Sequence, residues 1–127
     1  MIHPRDWYVE IAGQGPDLVL LHGLGASSFS WRHNRARLAH HFRVITPDLP
    51  GHGRSPAPLD ADYRTEALVR GLLDFLDWHG LETIALGGNS LGGGLSLLGR
   101  WRCFPGGLRA WAVWLDSCRR RGSPEVT

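Results

Sequence analysis

The chain of 127 residues contains no lysine; all fourteen of its basic residues are arginine. A P-loop requires a lysine to reach the phosphates, and no G-x-G-x-x-G occurs anywhere in the chain, so a nucleotide site is not expected. Cysteine is nearly absent too. Cys103 and Cys118 alone form neither a disulfide framework nor a zinc site, which points to a reducing compartment and to no metal. No window approaches the run of about 18 apolar residues that a membrane span needs. The N-terminus, Met1-Ile2-His3-Pro4-Arg5-Asp6, has no apolar stretch long enough for a signal peptide. The expected location is the cytoplasm, with no membrane partner. A net charge of +2 is too small to argue for nucleic acid. Histidine is missing from every position after His79.

What is present supports a folded domain. Apolar residues make up 43% of the chain and charged residues 20%, which carries no signal of disorder. Residues 7–11 read as a short strand, followed by a turn at Gly13-Gln14-Gly15-Pro16. The unbroken apolar run Leu18-Val19-Leu20-Leu21 fits a strand buried on both faces, as in a parallel sheet. Trp31, Arg35, Leu38 and Phe42 recur at helical spacing, with Ser28 or Ser30 as N-cap. Val44 and Ile45 form a strand core, and the breaker-rich stretch from Pro47 to Gly53 predicts a loop. Leu68, Leu72, Phe75, Leu76 and His79 mark a second helix. It contains Gly71 and ends at Gly80 in the left-handed conformation. Residues 83–86 read as another buried strand. Alternating strands and helices imply βαβ units on a mainly parallel sheet in a three-layer α/β sandwich.

Gly88-Asn89-Ser90-Leu91-Gly92 matches G-x-S-x-G, directly after a strand and before a helix. A serine on such a tight turn crowds the backbones on either side, and glycines two residues away leave room for that approach. The turn lifts the hydroxyl clear of the sheet. It also aims the next N–H, that of Leu91, at the place where an oxyanion would form, and the helix N-terminus adds partial positive charge. The bland alternative is a Gly-rich turn that merely packs a helix on a strand.

Two further segments bear on that choice. His22-Gly23-Leu24-Gly25 follows a buried strand, with Trp31 nine residues beyond His22. Val44-Ile45-Thr46-Pro47-Asp48-Leu49-Pro50-Gly51-His52-Gly53-Arg54-Ser55 supplies the next strand and loop. With the G-x-S-x-G turn, these resemble the oxyanion loop, the following strand and loop, and the nucleophile elbow of α/β-hydrolases, in family order and over about residues 7–98. The resemblance implies that Ser90 is the nucleophile and that the N–H groups of Leu24 and Leu91 form the oxyanion hole. It implies that Gly23 permits close approach of substrate, and that His22, Asp48 and His52 support the loops. Arg54 and Ser55 would be loop hydrogen-bonding groups. Family members that use a carboxylate at the elbow dehalogenate alkanes or open epoxides. A serine there argues for acyl chemistry on a small-molecule ester, amide, thioester or lactone, with no cofactor. Asn89 before the serine is similar to carbon–carbon hydrolases of ring-fission products.

The family order is serine, then acid, then histidine. Asp116 is the only aspartate after the elbow and stands as the candidate acid, with a loop aspartate as the bland reading. Residues 99–127 form an atypical tail holding one further strand at 108–115. From Arg100 onward there are six arginines against two acids, and three of the six tryptophans. This composition shift, and the missing histidine, lead us to expect residues 1–98 to be the N-terminal half of a hydrolase domain in a truncated chain, with a shifted reading frame past Leu98 as one account of the tail. A chain cut there would leave an apolar sheet edge as a route to self-association. It would be an inactive remnant or a fragment that depends on a partner.

Overall fold

The computed structural model describes residues 2–81, 84–89, 91–92 and 94–95. The elements are β1 (Val9–Ala12), β2 (Asp17–Leu21), α1 (Arg32–Leu38), β3 (Arg43–Pro47), α2 (Thr65–Trp78) and β4 (Ile84–Gly88), with short 3-10 turns at Pro4–Asp6 and Ser28–Trp31. The sheet order is β1-β3-β2-β4. β2 runs parallel to both β3 and β4, and β1 is antiparallel to β3.

The apolar run of β2 divides between the two faces because successive side chains of a strand alternate. Val19 and Leu21 join Ile45, Leu49, Ile84 and Leu86 beneath α2, whose buried stripe is Leu68, Val69, Leu72, Phe75 and Leu76. Leu18 and Leu20 join Val44 and Trp31 on the other face, with Leu38, Ala39 and Phe42 packed against them. Helices therefore cover opposite faces of a mainly parallel sheet, the expected three-layer α/β arrangement. Among the described residues the outer strands are β1 and β4.

The helix over 65–78 ends as expected, with Gly80 at φ +65°. Several boundaries differ from the sequence expectations. The first strand is displaced to Val9–Ala12, because Trp7 is withdrawn from the strand and stacks on Phe75 with ring centroids 4.8 Å apart. Neither Ser28 nor Ser30 caps α1: its N-cap is Trp31, with no side-chain cap bond, and the 3-10 turn before it is capped by Ser27. The Ser27 Oγ accepts the Phe29 N–H at 3.3 Å, and the chain enters α1 through that turn. The helix stops at Leu38, and Phe42 reaches the same apolar cluster from the turn that follows. Pro47 closes β3 instead of opening the loop; at the end of a strand its missing N–H breaks no interior ladder bond. β4 runs on through Gly87 and Gly88, which pair with Leu20 and Leu21. The strand expected at 108–115 lies outside the described residues.

Candidate functional site

From β2 the chain crosses to β3 on one side, then returns over the sheet to β4 on the other side. At such a reversal the loops leaving two adjacent parallel strands diverge to opposite faces. They open a crevice at the carboxyl ends of the strands, the usual ligand site of parallel α/β sheets. The two strands here are β2 and β4, with Leu21 in register with Gly88. The His22-Gly23-Leu24-Gly25 loop leaves the first, and the segment beginning at Asn89 leaves the second.

A backbone bond joins the two exits: the Asn89 N–H donates to the Leu21 carbonyl at 3.1 Å. The Gly92 N–H turns back onto the Asn89 carbonyl at 3.0 Å, and Leu91, Gly92, Gly94 and Leu95 are helical. This is the strand–turn–helix context that G-x-S-x-G demands. A Cβ at Gly92 would overlap the Leu21 carbonyl and crowd that of His22. The last glycine of the motif thus lets the new helix close onto the end of β2. Leu91 packs against the α2-side core and Leu95 is fully buried within it. Ser90 and Asp116 lie outside the described residues.

On the β2 side, Gly23 is buried and its carbonyl accepts the Ala26 N–H at 3.2 Å, which closes a turn with Gly25 at φ +74°. At its tip Leu24 is 77% exposed.

His22 is fully buried and both of its ring nitrogens are engaged. Nε2 accepts the Leu49 N–H at 2.9 Å, so the ring proton sits on Nδ1, which donates to the Gly23 carbonyl at 2.7 Å. Burial holds the His22 pKa below its ordinary 6.5. The His52 ring, 4.9 Å away, pushes in the same direction, while the Gly23 bond and the Asp48 charge oppose it. A neutral imidazole with no free nitrogen is a strut between two loops, and in this arrangement it has no lone pair with which to accept a proton. His52 is also turned to backbone, with Nδ1 3.1 Å from the Pro50 carbonyl.

Asp48 organises the second loop. Its buried carboxylate accepts the Ser28 N–H at 2.6 Å through Oδ1 and the Arg54 N–H at 2.9 Å through Oδ2. It therefore ties the loop after β3 to the turn that follows the His22–Gly25 segment. Gly53 lies against this carboxylate with φ +50°, and a Cβ there would overlap Oδ2. Ser55 Oγ donates to the Asp48 carbonyl at 2.5 Å and accepts the Tyr8 N–H at 2.8 Å, which fastens β1 to the same loop. The Arg54 guanidinium reaches the Tyr8 hydroxyl at 3.2 Å and lies over its ring. Leu49 and Tyr8 were not singled out in the sequence, and Ser28 was named only as a candidate helix cap. Each takes part through its backbone N–H, a group every non-proline residue carries.

Among the described residues no group of three or more His, Cys, Asp or Glu side chains is placed to hold a metal ion. No helix among them is long and apolar enough to cross a membrane.

Comparison with known proteins agrees with this geometry. Residues 16–98 match the alpha/beta hydrolase fold family. An uncharacterized protein of Mycobacterium tuberculosis is 45% identical over 87 residues, which cover 68% of this chain and 25% of the relative. The chain thus spans about a quarter of that relative's length. Among solved structures, a marine microorganism esterase superposes with a TM-score of 0.78 at 28% identity, over 85% of this chain and 41% of the esterase. A meta-cleavage product hydrolase from Pseudomonas fluorescens does so with a TM-score of 0.77 at 27% identity, over 83% and 39%. With its family match, its reversal of strand order and its strand–turn–helix G-x-S-x-G segment, the chain belongs to the alpha/beta hydrolase fold family.

Proposed function

We propose that this chain carries the nucleophile and oxyanion half of a serine hydrolase acting on acyl substrates: esters, amides, thioesters or lactones. Ser90 attacks the carbonyl carbon, and the N–H groups of Leu24 and Leu91 hold the negative charge that develops on its oxygen. The observation that carries this reading is the junction at Asn89 and Leu21. It seats the segments that bear Leu24 and Leu91 on adjacent strand ends, the arrangement two converging amide donors require. His22, Asp48 and Gly23 serve by shaping and holding the loop. The likeness to an esterase supports the substrate class.

A serine hydroxyl is a weak nucleophile without a base. The 127 residues hold no histidine beyond His79, and His22 has both nitrogens committed. The polypeptide of these 127 residues is therefore expected to be inactive by itself, with the base coming from elsewhere in a complete site. The test is a chimera in which the sequence of the Mycobacterium tuberculosis relative downstream of the aligned stretch follows residue 95. Chromogenic ester turnover should appear in the chimera and fall by about 10⁴-fold or more on Ser90→Ala. A folded chimera whose turnover ignores Ser90→Ala overturns the assignment. Turnover by the 127-residue chain that vanishes in Ser90→Ala overturns the expected inactivity and directs attention to His22 and His52.

A second reading is favoured by Asn89 and by the likeness to the meta-cleavage product hydrolase: cleavage of a carbon–carbon bond in a ring-fission product by the same machinery. Presenting the chimera with a ring-fission dienone acid beside the ester separates the two readings.

A further inference from the structure

A cleft of about 410 Å³ opens beside α1, on the face of the sheet opposite α2. Leu18, Leu20, Trp31 and Leu38 form its apolar walls, and Gly87 and Gly88 add bare backbone at the end of β4. His33 and Arg37, one turn apart on α1, also line it, and both are exposed. The chain holds no acid between Asp17 and Asp48. Arg35 and Arg43 already pair with Glu10 and Asp17. Arg37 has no carboxylate partner among the described residues. The cleft is thus apolar inside and carries an unpaired cation at its rim.

A complementary surface lies on the other face of the sheet. Trp78, the last residue of α2, is 55% exposed. Asp74, Asp77 and Trp78 share one side of the helix, because residues three and four apart are neighbours there. Both aspartates are exposed and have no cation partner among the described residues. Arg70, one turn before Asp74, acts on Asp62. The His3 ring stands edge-on to the Trp78 ring, with centroids 4.7 Å apart. A single exposed aromatic is ordinary. An aromatic flanked by two unpaired acids is the counterpart, in polarity and in sign, of an apolar cleft rimmed by Arg37 and His33.

We propose that the cleft of one chain receives Trp78 of a second copy, with Asp74 and Asp77 of that copy set against Arg37 and His33. Cleft and tryptophan occupy opposite faces of the sheet, so they cannot meet within one molecule, and the contact is head to tail. Each added copy keeps its own cleft open, so association runs on into open strings of molecules. A buried aromatic supplies at most about 150–250 Å², against about 800 Å² per partner in a stable complex. The contact is therefore weak, reversible and sensitive to salt. It uses no strand hydrogen bonds, which separates it from pairing along a sheet edge.

The test is sedimentation velocity of the 127-residue chain over a concentration series, at low salt and at about 1 M salt, where the screening length is about 3 Å. The average mass should rise with concentration at low salt and much less at high salt. Arg37→Glu and Trp78→Ala change exposed side chains, so each should keep the parent circular dichroism. Each should weaken association about tenfold or more, the loss expected on removing a central aromatic or reversing a facing charge. Asp77→Lys in place of Trp78→Ala carries the same expectation without touching the indole. Mixing two variants is the decisive arm. Arg37→Glu keeps its tryptophan and Trp78→Ala keeps its cleft, so together they should form a one-to-one pair that neither forms alone and that grows no further. A parent chain that stays monomeric, association that either variant leaves unchanged, or a mixture that stays monomeric each overturns the proposal.

Discussion

The backbone N–H of Leu49 and the Nε2 of His22, 27 positions apart in the chain, form a buried hydrogen bond of 2.9 Å. It joins the loop that leaves β2 directly to the loop that leaves β3, as the Ser28 N–H bond to Asp48 also does. Replacing His22 by Ala removes the acceptor and leaves a buried amide unpaired beside a new void. The expected loss is about 2–4 kcal/mol of folding stability, read as a lower urea midpoint.

The same bond makes stability depend on pH. In the folded state His22 is held below its ordinary pKa of 6.5, chiefly by burial. Above 6.5 the ring is neutral in both folded and unfolded chains, and its contribution is fully present. As the pH falls below 6.5 the unfolded chain takes up a proton that the folded chain refuses, so stability declines until the depressed folded value is reached. The slope for one proton is at most about 1.4 kcal/mol per pH unit. Urea midpoints measured from pH 7.5 to 5 should fall in the parent chain, and His22→Gln should flatten that fall.

Asp48 offers both carboxylate oxygens to backbone donors, Ser28 N–H and Arg54 N–H. Asp48→Asn places an amide donor against one of those donors. A loss of about 1–3 kcal/mol is expected in thermal or urea unfolding. Asp48→Ala removes both acceptors at once and should cost more than the Asn variant.

Two glycines of one helical segment should respond in opposite ways. A Cβ at Gly92 overlaps the Leu21 carbonyl, while at Gly94 it meets nothing within 4 Å. Gly92→Ala should therefore destabilise the chain by about 2 kcal/mol or more through backbone displacement. Gly94→Ala should be neutral or stabilising by up to about 1 kcal/mol. Circular dichroism melts of the two variants side by side check the contrast.

Much of the fold was legible because burial on two faces writes itself into composition. The run Leu18-Val19-Leu20-Leu21 has no polar alternation, and its residues divide between two cores. Leu68, Leu72, Phe75 and Leu76 lie on one stripe because a helix repeats every 3.6 residues. The placement of β1 was not legible. Nothing local to Val9–Ala12 says that it pairs antiparallel with β3, 32 or more residues away, rather than with β2 across the Gly13–Pro16 turn. Trp7 reads as a strand residue by type, yet the stack on Phe75 claims it for the core. In the candidate site, Asp48 and His22 were visible as residues but their partners were not.

The sequence by itself determined the backbone chemistry at each turn: glycines at 88 and 92 around a serine, a left-handed stop at Gly80, and two-faced strands that admit only a covered sheet. These are local constraints, set by side-chain size and by which dihedral angles each residue tolerates. Only the tertiary structure decided that the exits of β2 and β4 stand side by side and that His22 is a strut with both nitrogens used. The reason is physical: those bonds end on the amides of Leu49 and Asn89 and the carbonyls of Leu21 and Gly23. Backbone groups are the same at almost every position, so the chain must fold before one of them is chosen.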